Sequence, residues 1–389
     1  MFQVVEINTL AELKAYRMAW EDLWLRGRTQ RYSLSSDWFE AYARLVSDRG
    51  MKVLVISLAG KVIGILPLVL KQVHTRLGSQ RVLTYPLDGW GNWYGPIGPN
   101  PAATLTAGLR YLTTTRRDWD LLDLPYVDRD RHDLGRTQTA ARNIGWNVTE
   151  RLWRQIPLIQ LVGSWSEFLS SKRTEVLDEI LQAERRIDQL GQVQLWRYRS
   201  GVHASADLER LLNAWKLVLS ATGRAGEFAM LEHLALAADQ RNQLDLSALV
   251  LDQLPLACGL GFVQGATVEL VQGMSHASSA CTSGRLSSRQ VASVLLGRLL
   301  EQGIALGDDQ YEICPTCEWT ETARALWSTD VLNSYRYSMA PWSHLRSALL
   351  VRYHAARTSR IPRKQFSDNP RRVVQEQRNS TAPQLKIYR

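Results

Sequence analysis

Apolar positions along the chain repeat one order of periods twice. Gln3–Ile7 alternates as a short strand, after which Leu10, Leu13, Trp20, Leu23 and Trp24 recur at helical spacing, with Thr9 and Glu12 set as a capping box. A second helix is predicted over Ser36–Val46, with Asp37 in its first turn and Trp38, Tyr42 and Leu45 on one face. Two apolar runs, Lys52–Leu58 and Val62–Val69, flank Ala59-Gly60-Lys61 as a hairpin. A strand over Arg81–Tyr85, an aromatic loop Leu87–Pro96, a helix over Ala102–Thr114, a strand over Asp120–Leu124, a helix near Gly135–Asn143 and a strand at Gly145–Val148 complete the first unit.

A charged helix over Trp165–Leu190 bridges to the second, where the order returns: strand Val193–Tyr198, helices Asp207–Ser220 and Phe228–Gln240, and a hairpin of Leu246–Val250 with Leu256–Phe262 about Asp252-Gln253. Strand Thr267–Met274, helix Ser288–Gln302, strand Gln310–Ile313, helix Thr320–Trp327 and strand Ser334–Ser338 follow. The matched order predicts two related mixed α/β domains at residues 1–155 and 156–342, each a mixed sheet flanked by helices.

Composition changes this picture at one place. Ser343–Arg389 holds eleven Lys or Arg against two Asp or Glu, and the rest of the chain balances at 36 of each sign, so the net charge of +9 belongs to this tail. Leu345–Arg352 can finish a helix; beyond Thr358 the tail mixes Pro, Ser, Asn, Gln and Arg and is expected to be disordered. It would attract phosphate, anionic lipid or nucleic acid, or serve as a solubilising tail with no partner. Four cysteines do not make a secreted disulfide framework, the N-terminus lacks a signal-peptide pattern, and the apolar runs are too short to span a bilayer, so a cytoplasmic location is expected.

Several segments resemble the tandem N-acyltransferase-like family that includes the CelD-type cellulose-biosynthesis proteins and, more distantly, the FemAB peptidyltransferases. They are Trp38-Phe39-Glu40-Ala41-Tyr42 after Ser35-Ser36, the hairpin Lys61–Leu68, Ser171-Lys172-Arg173, Leu254-Pro255-Leu256-Ala257 and the closing stretch Ala323–Asp330, which is similar to the end of a GNAT domain. The resemblance implies two GNAT-like domains in tandem and acyl transfer from acetyl-CoA or another acyl-CoA, or from an aminoacyl-tRNA in the FemAB branch, to an amine or hydroxyl of a sugar, lipid or peptide. A catalytically silent scaffold is the rival expectation. In such folds the pantetheine arm lies along a splayed central strand, and the pyrophosphate rests on the free amides of the following helix. Here that places Gly284, Arg285, Ser287 and Ser288 at the cofactor.

Acyl transfer needs a base for the acceptor and a proton for the departing thiolate. Asp308, Asp309 and Tyr311 in Gly307–Glu312, which faintly resembles a Gly-Asp-Glu-x-Tyr-Lys signature, and His276 at the end of the Thr267–Met274 strand are the candidates; a polar turn and a solvent-facing histidine are the plain alternatives. Glu269 on that strand faces either a cleft or water. Cys314-Pro315-Thr316-Cys317 lacks the second pair a structural zinc requires, so no metal is expected. Trp90, Trp93 and Tyr94 form either an aromatic platform for an acceptor or a loop packed between the halves.

Overall fold

The computed structural model describes residues 2–45, 50–75, 78–87, 89–115, 117–276, 286–341 and 350–351. The first half runs β1 (Phe2–Ile7), α1 (Leu10–Lys14), α2 (Arg17–Leu25), α3 (Ser36–Leu45), β2 (Met51–Leu58), β3 (Lys61–Thr75), β4 (Gly78–Thr84), α4 (Pro101–Thr114), β5 (Leu121–Val127), α5 (Arg136–Asn143) and β6 (Trp146–Gln160). After α6 (Trp165–Ser170) and α7 (Thr174–Asp188), the second half runs β7 (Val193–Arg199), α8 (Ser205–Ala221), α9 (Phe228–Asp239), β8 (Leu244–Leu251), β9 (Leu254–Gln264), β10 (Thr267–Ser275), α10 (Ser288–Leu306), β11 (Gln310–Ile313), α11 (Thr320–Thr322) and β12 (Asp330–Pro341). The basic tail from Ser343 lies almost entirely outside the described residues.

The twelve strands among the described residues join one mixed sheet in the order β1-β2-β3-β4-β5-β12-β6-β11-β10-β9-β8-β7. Read with each first-half strand opposite its second-half counterpart, the order is palindromic about the line between β12 and β6. The last strands are exchanged: β6 pairs with β11, and β12 pairs with β5. They also pair with each other antiparallel from Asp330↔Leu158 to Pro341↔Trp146, with an irregularity between Ser334 and Tyr335. This mutual pairing makes them far longer than apolar alternation suggests, because Glu150, Arg151 and Arg154 interrupt the pattern within β6.

Local expectations hold where the signal is a cap or a hairpin. The Thr9 hydroxyl accepts from the Glu12 N–H, and the Glu12 carboxylate accepts from Asn8 and Thr9 N–H, closing the capping box. The bridging helix expected over 165–190 is instead two helices. Ser171 donates its hydroxyl to the Phe168 carbonyl at 2.6 Å, Arg173 is extended, and Lys172 reaches across to the Trp327 carbonyl at 2.6 Å, so the chain turns there. The helix expected at Thr320–Trp327 is α11 followed by a π-turn, Ala323–Trp327, that seats Leu326 and Trp327 in the core. Gly297 of α10 leaves room for Trp327, whose ring would lie 3.0 Å from an added Cβ.

The largest apolar core crosses both halves. Tyr32 packs on Phe262 with ring centroids 4.4 Å apart and donates its hydroxyl to the Leu234 carbonyl at 3.1 Å. Arg241 pairs with Glu21 at 2.8 Å and with Asp37, tying the end of α9 to α2 and α3. First-half residues are thus held against the second half, which fixes the loops that meet at the candidate site.

Candidate active site

Each half contains one parallel strand pair, β4 with β5 and β10 with β11, flanked otherwise by antiparallel neighbours. Ligands of open sheets collect beyond the carboxyl ends of such strands. In the first half, β4 stops at Thr84 while β5 continues to Val127. The aromatic loop spans the gap this leaves: the Tyr94 N–H donates to the Tyr126 carbonyl, and Ile97 exchanges two backbone bonds with Ile65 of β3. Tyr126 takes a left-handed φ of 65°, a conformation a bulky residue holds only where its surroundings impose it.

Against this loop lies a cavity of about 90 Å³, lined among others by Tyr85, Trp93, Tyr94, Asp128, His132 and Asp133. The hydroxyls of Tyr85 and Tyr94 are buried and have no hydrogen-bond partner among the described residues. Burial keeps both phenols protonated well past their ordinary range. Burial likewise raises Asp133, although Thr137 donates to it from both its N–H and its hydroxyl.

Asp128 and His132 stand one turn apart in the short helical turn after β5, and His132 Nδ1 lies 2.7 Å from Asp128 Oδ2. Burial alone would raise Asp128, but the hydrogen bond from His132 and the charge of Arg131 outweigh it and hold the carboxyl low. An ionised carboxylate only accepts, so Nδ1 carries the proton and the neutral ring keeps its lone pair on Nε2. A half-exposed imidazole so oriented can take a proton from a nucleophile in the cavity.

Behind the dyad lies a buried charge cluster to which both halves contribute. Glu269 of β10 and Glu312 of β11 are paired positions on adjacent parallel strands, which places two carboxylates side by side. Arg31 reaches between them, at 3.3 Å from Glu269 and 3.0 Å from Glu312. Arg131 sits 3.2 Å from Glu312 and 2.8 Å from Asp128, and Trp93 donates its indole N–H to Glu312 at 2.6 Å. Burial and the neighbouring Glu312 raise Glu269; burial would raise Glu312 too, but Arg31, Arg131 and Trp93 bring it below the usual range. The aromatic loop therefore packs between the halves, with the Asn92 N–H also bonded to Glu269.

The residues singled out from sequence fall in other places. Asp308 is buried, pairs with Arg199 at 2.7 Å and accepts from the Tyr311 hydroxyl at 2.8 Å; Arg197 donates to that hydroxyl at 2.9 Å, and Asp245 closes the network. Asp309 is exposed. His276 follows β10, its N–H donated to the Leu256 carbonyl. Ser287 caps α10 in a reciprocal box with Gln290, and Ser288 is the first helical residue; Gly284 and Arg285 lie outside the described residues. Glu269 is buried in the charge cluster rather than facing water, and an irregularity between Leu270 and Gln272 interrupts the strand alternation there. Sequence reasoning missed Asp128, Arg131 and His132; the visible signal was the charged run Asp128–Asp133 directly after an apolar strand.

The wedge beyond β10 and β11 is filled by the protein itself. The Cys314–Trp319 turn lies along β10, with Trp319 donating its indole N–H to the Ser275 hydroxyl at 2.8 Å and packing so tightly that a Cβ on Gly273 would sit 2.5 Å from its ring. Cys258, Cys314 and Cys317 are free, buried thiols, and burial raises all three.

Residues 175–318 match the family model described as an acetyltransferase (GNAT) domain. A comparison with curated protein sequences found no match. Among solved structures, FemX aligns with a TM-score of 0.52 at 11% identity, over 86% of this chain and 96% of that one. A conserved protein of unknown function from Bacteroides thetaiotaomicron aligns with a TM-score of 0.52 at 10% identity, over 87% and 100%. A tandem GNAT protein from the clavulanic acid biosynthesis pathway aligns at 0.44 and 11% identity, over 87% and 98%. At these identities the first two likenesses bear on the fold alone, a mixed α+β architecture with a large sheet flanked by helices. No helix among the described residues is long and apolar enough to cross a membrane.

Proposed function

We propose that this protein transfers an acyl group from an acyl-CoA thioester to an amine or hydroxyl acceptor, with His132 as the general base. The observation that carries the reading is the Asp128–His132 pair opening onto a cavity lined by first-half residues, in a chain whose second half matches a GNAT domain. The acceptor's nucleophilic atom attacks the thioester carbon while His132 Nε2 takes its proton. The tetrahedral adduct then expels the thiolate, which recovers that proton from the imidazolium, yielding the acylated acceptor and free CoA thiol. For the donor's pyrophosphate the proposed contacts are Ser287 and Ser288 at the start of α10, with Gly284 and Arg285 ahead of them.

The test is thiol release from acetyl-CoA in the presence of primary amines such as glucosamine, ethanolamine and a lysine peptide. Replacing a general base should cost roughly 100-fold or more in kcat, so His132→Gln should lose that much with its thermal midpoint unchanged, and Asp128→Asn should also fall. A His132→Gln protein as active as the parent would exclude this assignment. The filled wedge favours a second reading, a catalytically silent GNAT-like scaffold; wild-type protein that neither binds acetyl-CoA nor releases thiol would favour it.

A further inference from the structure

We infer that Glu312, on the GNAT-matched half, is a positioning residue for His132 on the other half, acting through Arg131 and Asp128. This rests on the proposed role of His132 and goes beyond it, because it assigns the second half a task at the reacting centre.

The contacts form a continuous chain. Asp128 Oδ2 receives both His132 Nδ1 at 2.7 Å and Arg131 Nε at 2.8 Å, and Asp128 Oδ1 receives the Arg131 N–H at 3.1 Å. Both terminal nitrogens of Arg131 meet Glu312 Oε1 at 3.2 Å. The other carboxylate oxygen, Oε2, is fixed by Arg31 at 3.0 Å and by the Trp93 indole at 2.6 Å. Glu312 has no exposed side-chain surface, whereas Arg131 is one-third exposed and His132 slightly more so. The immobile end of the chain is therefore Glu312, on a central strand, and the mobile end is the imidazole, in a surface turn.

The physical consequence is directional. An arginine with one carboxylate in a turn and bulk water beside it has many rotamers to occupy; a second, buried carboxylate removes them. With Arg131 fixed, Asp128 Oδ2 has one place to be, and Nδ1–H has one acceptor. Neutralising Glu312 leaves the Arg131 side chain free to leave Asp128, and the carboxylate that fixes which ring nitrogen carries the proton is then held by the Arg131 backbone N–H alone. Of the four members only Asp128 and His132 line the cavity, so Arg131 and Glu312 act on the acceptor only through them.

The experiment uses the full-length protein and two variants, Glu312→Gln, which keeps the shape in the core, and Arg131→Gln, which cuts the chain at a part-exposed residue and should fold even if the first does not. The tautomer of His132 is read from the ring nitrogen NMR shifts. A single Nδ1–H form in the parent and a mixture of tautomers in both variants is the expected result; unchanged His132 signals in both would overturn the inference. In the thiol-release assay, Glu312→Gln should lower kcat about tenfold with little change in KM. The same substitution in a His132→Gln background should change it less than about twofold, because a residue acting through His132 has nothing left to position. An equal loss in both backgrounds would make Glu312 merely structural. A parent that shows no turnover would remove the acyltransfer reading while the tautomer measurement still decided this one.

Discussion

Lys172 carries its ammonium into the stack formed by Trp165, Phe168 and Trp327, 4.4 Å from the centre of the Phe168 ring, and donates to the Trp327 carbonyl. Burial pushes its pKa down to about 8 from an ordinary 10.5. The folded-state value is depressed for a cation, so the penalty is fully present below pH 8 and is relieved as pH rises toward 10.5, where the unfolded chain still holds the proton that the folded one has released. Wild-type stability should therefore improve relative to Lys172→Met across that window, measured as the gap between their urea midpoints; a constant gap would mean the ammonium is solvated. Single residues also show how an identical chemical type divides by surroundings. Asp308 and Tyr311 looked like an acid–base grouping in sequence, but two arginines and a second aspartate occupy them. Asp128 has the same charge, yet spends one oxygen on a half-exposed imidazole.

At the scale of elements, α10 is the sharpest test of where the donor sits. Ser287→Glu with Ser288→Glu puts negative charge where a pyrophosphate would meet the free amides of the first turn, and calorimetry should then show acetyl-CoA binding weakened at least about tenfold. Unchanged affinity would move the donor away from this helix. Much of the element order was legible because its signals are local: the Thr9 capping box, the Ala59-Gly60 hairpin and the Ser287 cap each involve neighbours in sequence. What stayed hidden depends on distant partners. β6 has no apolar alternation through Thr149–Gln155 and exists as a long strand because β12 pairs along it. The break at Ser171 needs Trp327, more than 150 residues away, to receive Lys172. The charge cluster behind the site was hidden for the same reason, since Glu312 meets Arg31, Trp93 and Arg131 only when they arrive from the first half.

For the whole molecule, exchanged last strands mean that neither half has a complete sheet alone. Removing β12 leaves β5 and β6 each one neighbour short, and removing the second half strips β6 of both its partners. With the main core also crossing between halves, unfolding should be one transition, and calorimetry should give a calorimetric to van't Hoff enthalpy ratio near one; two resolved transitions would show that the halves hold up separately. The same crossing sets a schedule during synthesis. β6 leaves the ribosome long before β11, and at roughly 5–20 residues per second the wait is on the order of ten to thirty seconds. Through that interval the nascent chain carries a strand with no neighbour and, at β5, an unfilled edge, the kind of surface on which other chains add strands. Expression yield should therefore depend on translation speed and on chaperones that shield emerging strands, a burden that two self-contained domains in series would not carry.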